Sequence, residues 1–220
     1  MPQPKANINL NCPQTPAKVG RPKSEEKRVS ILLAASDLFL GQGFSSTSMD
    51  QVAKKAEVSK QTVYSHFSNK EALFSSVIAY KCAQYQLGEE HMRDVEQDPV
   101  EALLTYGNQI INLLQDEQSI AMHRVVIGEI TTNPRVAELF YIAGPQHGIE
   151  ILRDFFQQNS QLKLEKNKAE YWAYTFFNML KGDFYLRSLL GLPFSKSEAK
   201  QTELVTQTVY HVIQMIKAED

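Results

Sequence analysis

From Ser24 onward, apolar residues recur at three- and four-residue intervals almost to the C-terminus, and the two-residue alternation of strands is scarce. This periodicity predicts an all-α protein. Ile31, Ala34, Ala35, Leu38 and Phe39 form the first stripe, with Ser24 as its cap, Glu25 and Glu26 in its first turn, and Gly41 with Gly43 as its stop. Phe44 folds back on that core. A second short helix begins at Thr47 or Ser48, with Gln51 completing a capping box, and buries Met49, Val52, Ala53 and Ala56. Ser59 caps a third, with Val63 and Phe67 on its buried side. Ser68 with Glu71 opens a fourth, through Leu73, Phe74, Val77 and Ile78.

Longer helices follow. Asp98-Pro99 with Glu101 and Asn133-Pro134 are start signals, and between them lie apolar segments around Leu103 to Leu114 and Ile120 to Ile130. Pro145, between Gly144 and Gly148, kinks or divides the helix that starts at Pro134. Ser195 with Glu198 opens the last helix, which ends near Lys217.

Composition narrows the class. At 220 residues and 43% hydrophobic content, the chain can bury a substantial core. Met1 to Asn11 holds no apolar segment of signal-peptide length, and no uncharged run reaches the roughly eighteen residues of a membrane span, so a cytoplasmic protein with no membrane partner is expected. Cys12 and Cys82 are too few and too distant for a disulfide scaffold or a thiolate metal site. Residues 1–23, rich in Pro, Asn and Gln, read as a disordered arm. The net charge of −2 conceals an asymmetry: Met1 to Tyr80 carries 10 Lys and Arg against 6 Asp and Glu, and the remainder 13 against 19. A basic front third is the sign that nucleic-acid contact there requires.

The string Ile31-x-x-Ala34-Ala35-x-x-Leu38-Phe39-x-x-x-Gly43-Phe44, then Thr47-Ser48-Met49, Val52-Ala53, Ala56, Val58-Ser59, Thr62-Val63-Tyr64, Phe67 and Lys70-Glu71-x-Leu73, resembles the DNA-binding domain of TetR-type transcriptional repressors. The likeness covers about a quarter of the chain, and its apolar, cap and polar positions match together. It implies a three-helix N-terminal helix-turn-helix domain (24–69) followed by a helical ligand-binding and dimerisation domain (70–220), assembled as a homodimer. Glu57 stands where the family usually has Gly, so the turn either holds a left-handed non-glycine residue at a cost of about 1 kcal/mol or differs in geometry. Glu129 to Pro145, with Asn133-Pro134, Phe140-Tyr141 and Gly144-Pro145, is similar to the AefR-like branch, associated with efflux and small-molecule responses.

On the third helix, Lys60, Gln61 and Tyr64 share an arc opposite Val63 and Phe67, which suits insertion into the major groove. Gln61 can read an adenine edge, and Lys60 a guanine or a phosphate. Thr62, Tyr64 and His66 are candidate phosphate contacts by chemistry and by the resemblance. Thr47, Ser48 and Lys70 sit at helix starts where phosphate also binds, although capping alone explains the hydroxyls. Arg21 and Lys23, in Gly20-Arg21-Pro22-Lys23, can enter a narrow minor groove or belong to a solubilising tail.

Behind this unit, Tyr106, Ile110, Leu113, His123, Ile127, Phe140, His147, Trp172 and Phe176 are candidate walls of a cavity for a small apolar or amphipathic effector. Val205, Val209, Val212 and Ile216 keep a four-three-four spacing that makes a packing seam, assigned by the resemblance to the dimer interface. The aromatic run from Tyr171 to Tyr185 goes almost all round its helix, which must be covered on more than one side. His123 and His147 share no recognised metal spacing, and no phosphate loop, H-E-x-x-H, C-x-x-C or G-x-S-x-G motif occurs, so neither cofactor nor catalysis is expected. A helical ligand-binding protein without DNA activity and a nonspecific DNA binder are the rival readings.

Overall fold

The structure, a computed structural model, describes residues 25–219. Among them there are helices and no strands. The expectations for Cys12, Arg21, Lys23 and the Ser24 cap lie outside the described residues.

Helix α1 (Glu25–Ser46) buries Ile31, Leu32, Ala34, Ala35 and Phe39. It is long and apolar enough to cross a membrane, but here that apolar face is the core of a helical unit. Its regular course breaks at Gly43, with φ +83°, a conformation costly for residues that carry a Cβ. Phe44 then returns to the core, 5.7 Å from Phe39 and 5.2 Å from Phe74 between ring centroids. Helix α2 (Met49–Lys55) has the expected capping box: Ser48 Oγ accepts from Gln51 N, and Gln51 Oε1 accepts from Ser48 N at 2.7 Å. It ends in left-handed Glu57 (φ +55°), where the N–H groups of Glu57 and Val58 return to the carbonyls of Lys54 and Ala53. This is the glycine-type helix stop, made without glycine.

Helix α3 (Lys60–His66) is capped by Ser59, which accepts from Thr62 N at 3.1 Å. Helix α4 (Lys70–Gln84) corrects the expectation of a Ser68 cap. Asn69 is the cap, its Oδ1 accepting from Ala72 N at 2.7 Å. The first core includes Leu73, Phe74, Val77 and Ile78 of α4, and it also takes in Met122, Val126, Val136 and Leu139 from farther along the chain.

Helix α5 (Pro99–Gln115) starts as expected, with Asp98 accepting from Val100 and Glu101 N–H groups and Pro99 in the first turn. Helix α6 (Glu117–Glu129) starts earlier than its apolar stripe, because Asp116 caps it through Ser119 N at 2.8 Å. Helix α7 (Arg135–Tyr141) lacks a side-chain cap, so Asn133 acts only through its backbone carbonyl. Pro145 neither kinks the backbone out of helical angles nor divides it; one π turn at residues 142–146 absorbs the missing N–H and leads into α8 (His147–Gln158).

Helix α9 (Lys166–Leu190) carries the aromatic run and breaks at Gly182. Helix α10 (Glu198–Ala218) begins after Ser197. A second core joins α5, α8, α9 and α10. In it Val205, Val209, Val212 and Ile216 are each at most 1% exposed within the single chain. Their expected place in a dimer interface is therefore corrected: the seam packs inside its own subunit. Gly107 of α5 makes that approach possible, since a Cβ there would lie 2.9 Å from Val205 Cγ1.

Candidate nucleic-acid interface and effector cavity

Helix α3 turns one face inward through Val63 and Phe67 and leaves Lys60, Gln61 and Tyr64 exposed. Tyr64 is 45% exposed, a large share for an aromatic ring. Lys60 Nζ rests 2.8 Å from Asp50 Oδ1 of α2, and the hydrogen bond and charge of Asp50 raise its pKa. Such an exposed pair is readily exchanged for a phosphate. Ser48 is exposed while it caps α2, so its hydroxyl hydrogen remains available. Thr62 is half-buried, with its hydroxyl 2.8 Å from Ser59 Oγ.

Two expected phosphate contacts are corrected. Thr47 is buried, and its hydroxyl donates to Gly43 O at 2.7 Å, closing the α1–α2 corner. Lys70 Nζ donates to the carbonyls of Phe44 and Thr47, both at 2.8 Å, and lies 4.4 Å from the centroid of the Phe44 ring. Burial lowers its pKa against the opposing pull of Glu129. Both residues hold the reading head together instead of reaching outward.

One cation escaped the sequence reading. Arg28 of α1 lies 5.7 Å from the Phe67 ring centroid and lines a cleft with Tyr64, Ser65, His66 and Ser68. His66 thus sits at the edge of the α3 face beside a guanidinium. Only tertiary packing, which sets Arg28 against the Phe67 ring, brings it there, and no spacing in the sequence signals it.

Behind the reading head, a cavity of about 110 Å³ opens between α4, α5, α6, α8 and α9. Of the expected wall residues, Tyr106, Ile110, Leu113, His123, Phe140 and His147 line it. Three do not. Ile127 is 53% exposed, on the outer side of α6, while Trp172 and Phe176 are buried in the second core. The sequence reading missed Cys82, Met122, Phe177, Lys181 and Tyr185. The i, i+4 spacing of Phe177, Lys181 and Tyr185, a cation between aromatics, was the available signal.

The polar groups in this wall are held in defined states. His123 Nδ1 lies 2.7 Å from Ser119 O, and its ring packs edge-on against Phe140 and Tyr185. Burial, more than that hydrogen bond can offset, keeps it below the ordinary histidine pKa, so the neutral ring donates through Nδ1. Burial also pushes the Cys82 thiol up to about 11, leaving it unreactive near neutrality. Beside the cavity, burial opposes ionisation of Asp116, but Lys81, the Ser119 N–H and the Tyr85 hydroxyl outweigh it and hold the carboxyl below its usual range. Among the described residues no cluster of three or more His, Cys, Asp or Glu could hold a metal ion.

A short three-helix head with one polar helix face, carried on a helical unit that encloses a cavity, defines a helix-turn-helix DNA-binding protein with a second helical domain. Residues 31–77 match the family described as bacterial regulatory proteins, tetR family, and residues 101–214 match the AefR-like transcriptional repressor C-terminal domain. The chain belongs to the TetR family of transcriptional regulators, non-enzymatic DNA-binding proteins. It is similar to the HTH-type transcriptional regulator AcrR of Shigella flexneri, with 29% identity over 50% of this chain and 51% of that protein. The chain spans between about a fifth and a half of the length of the curated relatives it matches. Among solved structures, the flavonoid-responsive regulator FrrA is 31% identical over 88% of this chain and 96% of its own, with a TM-score of 0.62. A putative TetR-family regulator from Mesorhizobium loti is 24% identical over 89% and 98%, with a TM-score of 0.69.

Proposed function

We propose that this regulator is a cytoplasmic repressor that binds a palindromic operator as a homodimer and is released by a small apolar or amphipathic effector, at genes of efflux or small-molecule response. The observation that carries this is the exposure of Gln61 and Tyr64 on a helix whose opposite side is fully buried. In this reading residues 24–69 form the DNA-binding unit and 70–220 the ligand and dimer unit. Gln61 and Lys60 meet base edges, Tyr64, Thr62, His66, Ser48 and Arg28 meet phosphates, and Arg21 and Lys23 reach the minor groove. Dimerisation sets the two α3 helices about 34 Å apart, in successive major grooves.

The dimer surface is the outward side of α9 and α10. Tyr171, Leu186 and Leu190 of α9 and Tyr210 and Met215 of α10 are each at least half exposed in the single chain, and a partner subunit would cover them. Release follows from the cavity's position. Val77 and Ile78 of α4 belong to its wall and also to the core of the reading head. An effector that prefers one setting of α4 therefore shifts the spacing of the two α3 helices. The name of FrrA supports an effector of the size and apolar character of a flavonoid.

Selection of bound sequences from a random duplex pool tests the reading. A palindrome with half-sites one helical turn apart is expected. Gln61→Ala should weaken binding by about 1–3 kcal/mol and relax one position of each half-site. Tyr64→Ala should weaken all sequences alike with the dimer intact. Equal competition by random DNA would overturn the operator assignment.

A further inference from the structure

Two lysines reach the cavity, Lys81 from α4 and Lys181 from α9, and they differ in one respect. Lys81 is matched: its Nζ lies 2.9 Å from Asp116 Oδ1, the residue that caps α6. Lys181 is not. Its Nζ donates to Asn178 Oδ1 at 3.1 Å and lies 5.4 and 5.6 Å from the ring centroids of Phe177 and Tyr185, and among the described residues it forms no ion pair. Burial lowers its pKa, with no carboxylate raising it. A half-buried ammonium without a counter-ion is destabilising unless something else supplies the negative charge.

A second polar group in the same wall lacks a partner. Tyr106 is 1% exposed, and among the described residues its hydroxyl has no hydrogen-bond partner. Burial drives the phenol's pKa strongly upward, so it stays a neutral donor. Gly148 borders both the Tyr106 hydroxyl and the ring that Lys181 lies over: a Cβ on it would lie 3.6 Å from Phe177 Cε2 and 3.8 Å from Tyr106 Oη. Lys181 sits over that same Phe177 ring. The remaining wall is mainly apolar, with Ile78, Ile110, Met122 and Phe140, and His123, whose ring packs on Tyr185, is a neutral polar group in it.

We propose that the effector is an organic acid: an apolar body carrying one ionised oxygen group that pairs with Lys181 and accepts a hydrogen bond from the Tyr106 hydroxyl. The proposal rests on the reading of this cavity as the effector site. A neutral effector would leave the Lys181 charge uncompensated, and a cationic one would add to it. An acid satisfies the ammonium and the orphaned hydroxyl together, and both are stronger partners for it in a mainly apolar, partly shielded wall than in water.

Two dyes with the same ring body test this on the full-length protein: 8-anilinonaphthalene-1-sulfonate, which is an anion, and N-phenyl-1-naphthylamine, which is neutral. Fluorescence titration should show the anion bound at least about tenfold more tightly than the neutral dye. Lys181→Met should abolish that preference while leaving the neutral dye's affinity unchanged and the thermal midpoint the same or higher, since the uncompensated charge is removed, and Lys181→Arg should keep it. Gly148→Leu, which fills the space between Tyr106 and Phe177, should block both dyes. A wild-type protein that binds the neutral dye as tightly as the anion, or a Lys181→Met variant that binds the anion undiminished, overturns the acid assignment while the cavity reading stands. If neither dye binds, or if Gly148→Leu affects neither, the cavity is not the effector site and both readings fall.

Discussion

Glu129 Oε1 accepts a hydrogen bond from the backbone N–H of Phe44 at 2.5 Å, across 85 residues of sequence. Its Oε2 takes the Ser45 N–H at 3.1 Å and the Ser45 hydroxyl at 2.6 Å. From the other side, Lys70 grips the carbonyls of the same corner. The link between α1 and α2 is therefore held by an acid at the end of α6 and a base at the start of α4. Helix α6 also lines the cavity through Ser119, Met122 and His123. It thus runs from the proposed effector site to the reading head, and Glu129 is where it makes contact. Gly43 adds the reason the corner must be glycine: besides its positive φ, a Cβ there would collide with the Glu129 carboxylate.

Removing this contact should separate the two halves functionally. Glu129→Ala leaves the Phe44 and Ser45 donors without their acceptor, a loss of about 1–3 kcal/mol where the groups stay shielded from water. The expected outcome is a lower thermal midpoint and an operator complex that needs more effector for release, since one of the elements coupling the sites is gone. Midpoint and release titration are measured on the same variant. Unchanged release would place the coupling in α4 alone.

Glu57 occupies a left-handed position with its side chain exposed. Glu57→Gly relieves the strain of φ +55° but gives the unfolded chain more freedom, so the gain is the difference of two terms of similar size. A rise in stability of up to about 1 kcal/mol is expected, with Glu57→Ala showing none of it. Urea denaturation of the three proteins decides. A loss of stability in the glycine variant would mean that the strain at Glu57 is smaller than the freedom glycine adds to the unfolded chain.

The reading head was the more legible half of the molecule. Its capping box, its Ser59 cap, its left-handed Glu57 and its buried Val63 and Phe67 are all local, each specified by a few neighbouring residues. The roles of Thr47 and Lys70 were not, because a hydroxyl or an ammonium at a helix start suits phosphate and backbone carbonyl equally, and only the path of Phe44 and Gly43 through space settles which it meets. The cavity was half legible for a related reason. Periodicity identifies the inward face of α9, yet Trp172 and Phe176 on that face are buried in the second core whereas Phe177 and Lys181, about 100° and 140° round the helix from Phe176, line the cavity. The Val205 to Ile216 seam shows the same limit: a narrow apolar stripe states that something covers it, and Gly107 of its own chain turned out to be part of the cover.

That last correction makes a clean separation of folding from assembly. Val209→Ala should cost roughly 2 kcal/mol by opening a space in the second core, with the dimer constant unchanged apart from the loss of folded protein. Leu186→Glu, on the exposed side of α9, should leave the monomer fold intact and place a charge in the proposed subunit contact. Sedimentation equilibrium should then give a monomer, and operator binding should fall because half-sites are no longer engaged together. A Leu186→Glu protein that stays dimeric would move the interface elsewhere.

The buried ring of His123 gives a pH signature. Burial lowers its folded pKa below the ordinary 6.5, with Lys181 adding to the shift and the Ser119 carbonyl opposing it. The unfolded chain then binds more protons than the native one as the pH drops below about 6.5, so stability is full above that value and declines beneath it until the folded ring also protonates. Asp116 acts in a separate window: its folded pKa is depressed below 3.8, so its contribution is present above that value and is lost only in stronger acid. Thermal midpoints between pH 8 and pH 5 should therefore fall on the acid side, and His123→Asn, whose Nδ2 can still donate to the Ser119 carbonyl as Asn108 Nδ2 does to Leu104 O but which cannot ionise, should flatten the curve. A His123→Asn profile parallel to the wild type would assign the acid sensitivity to other groups.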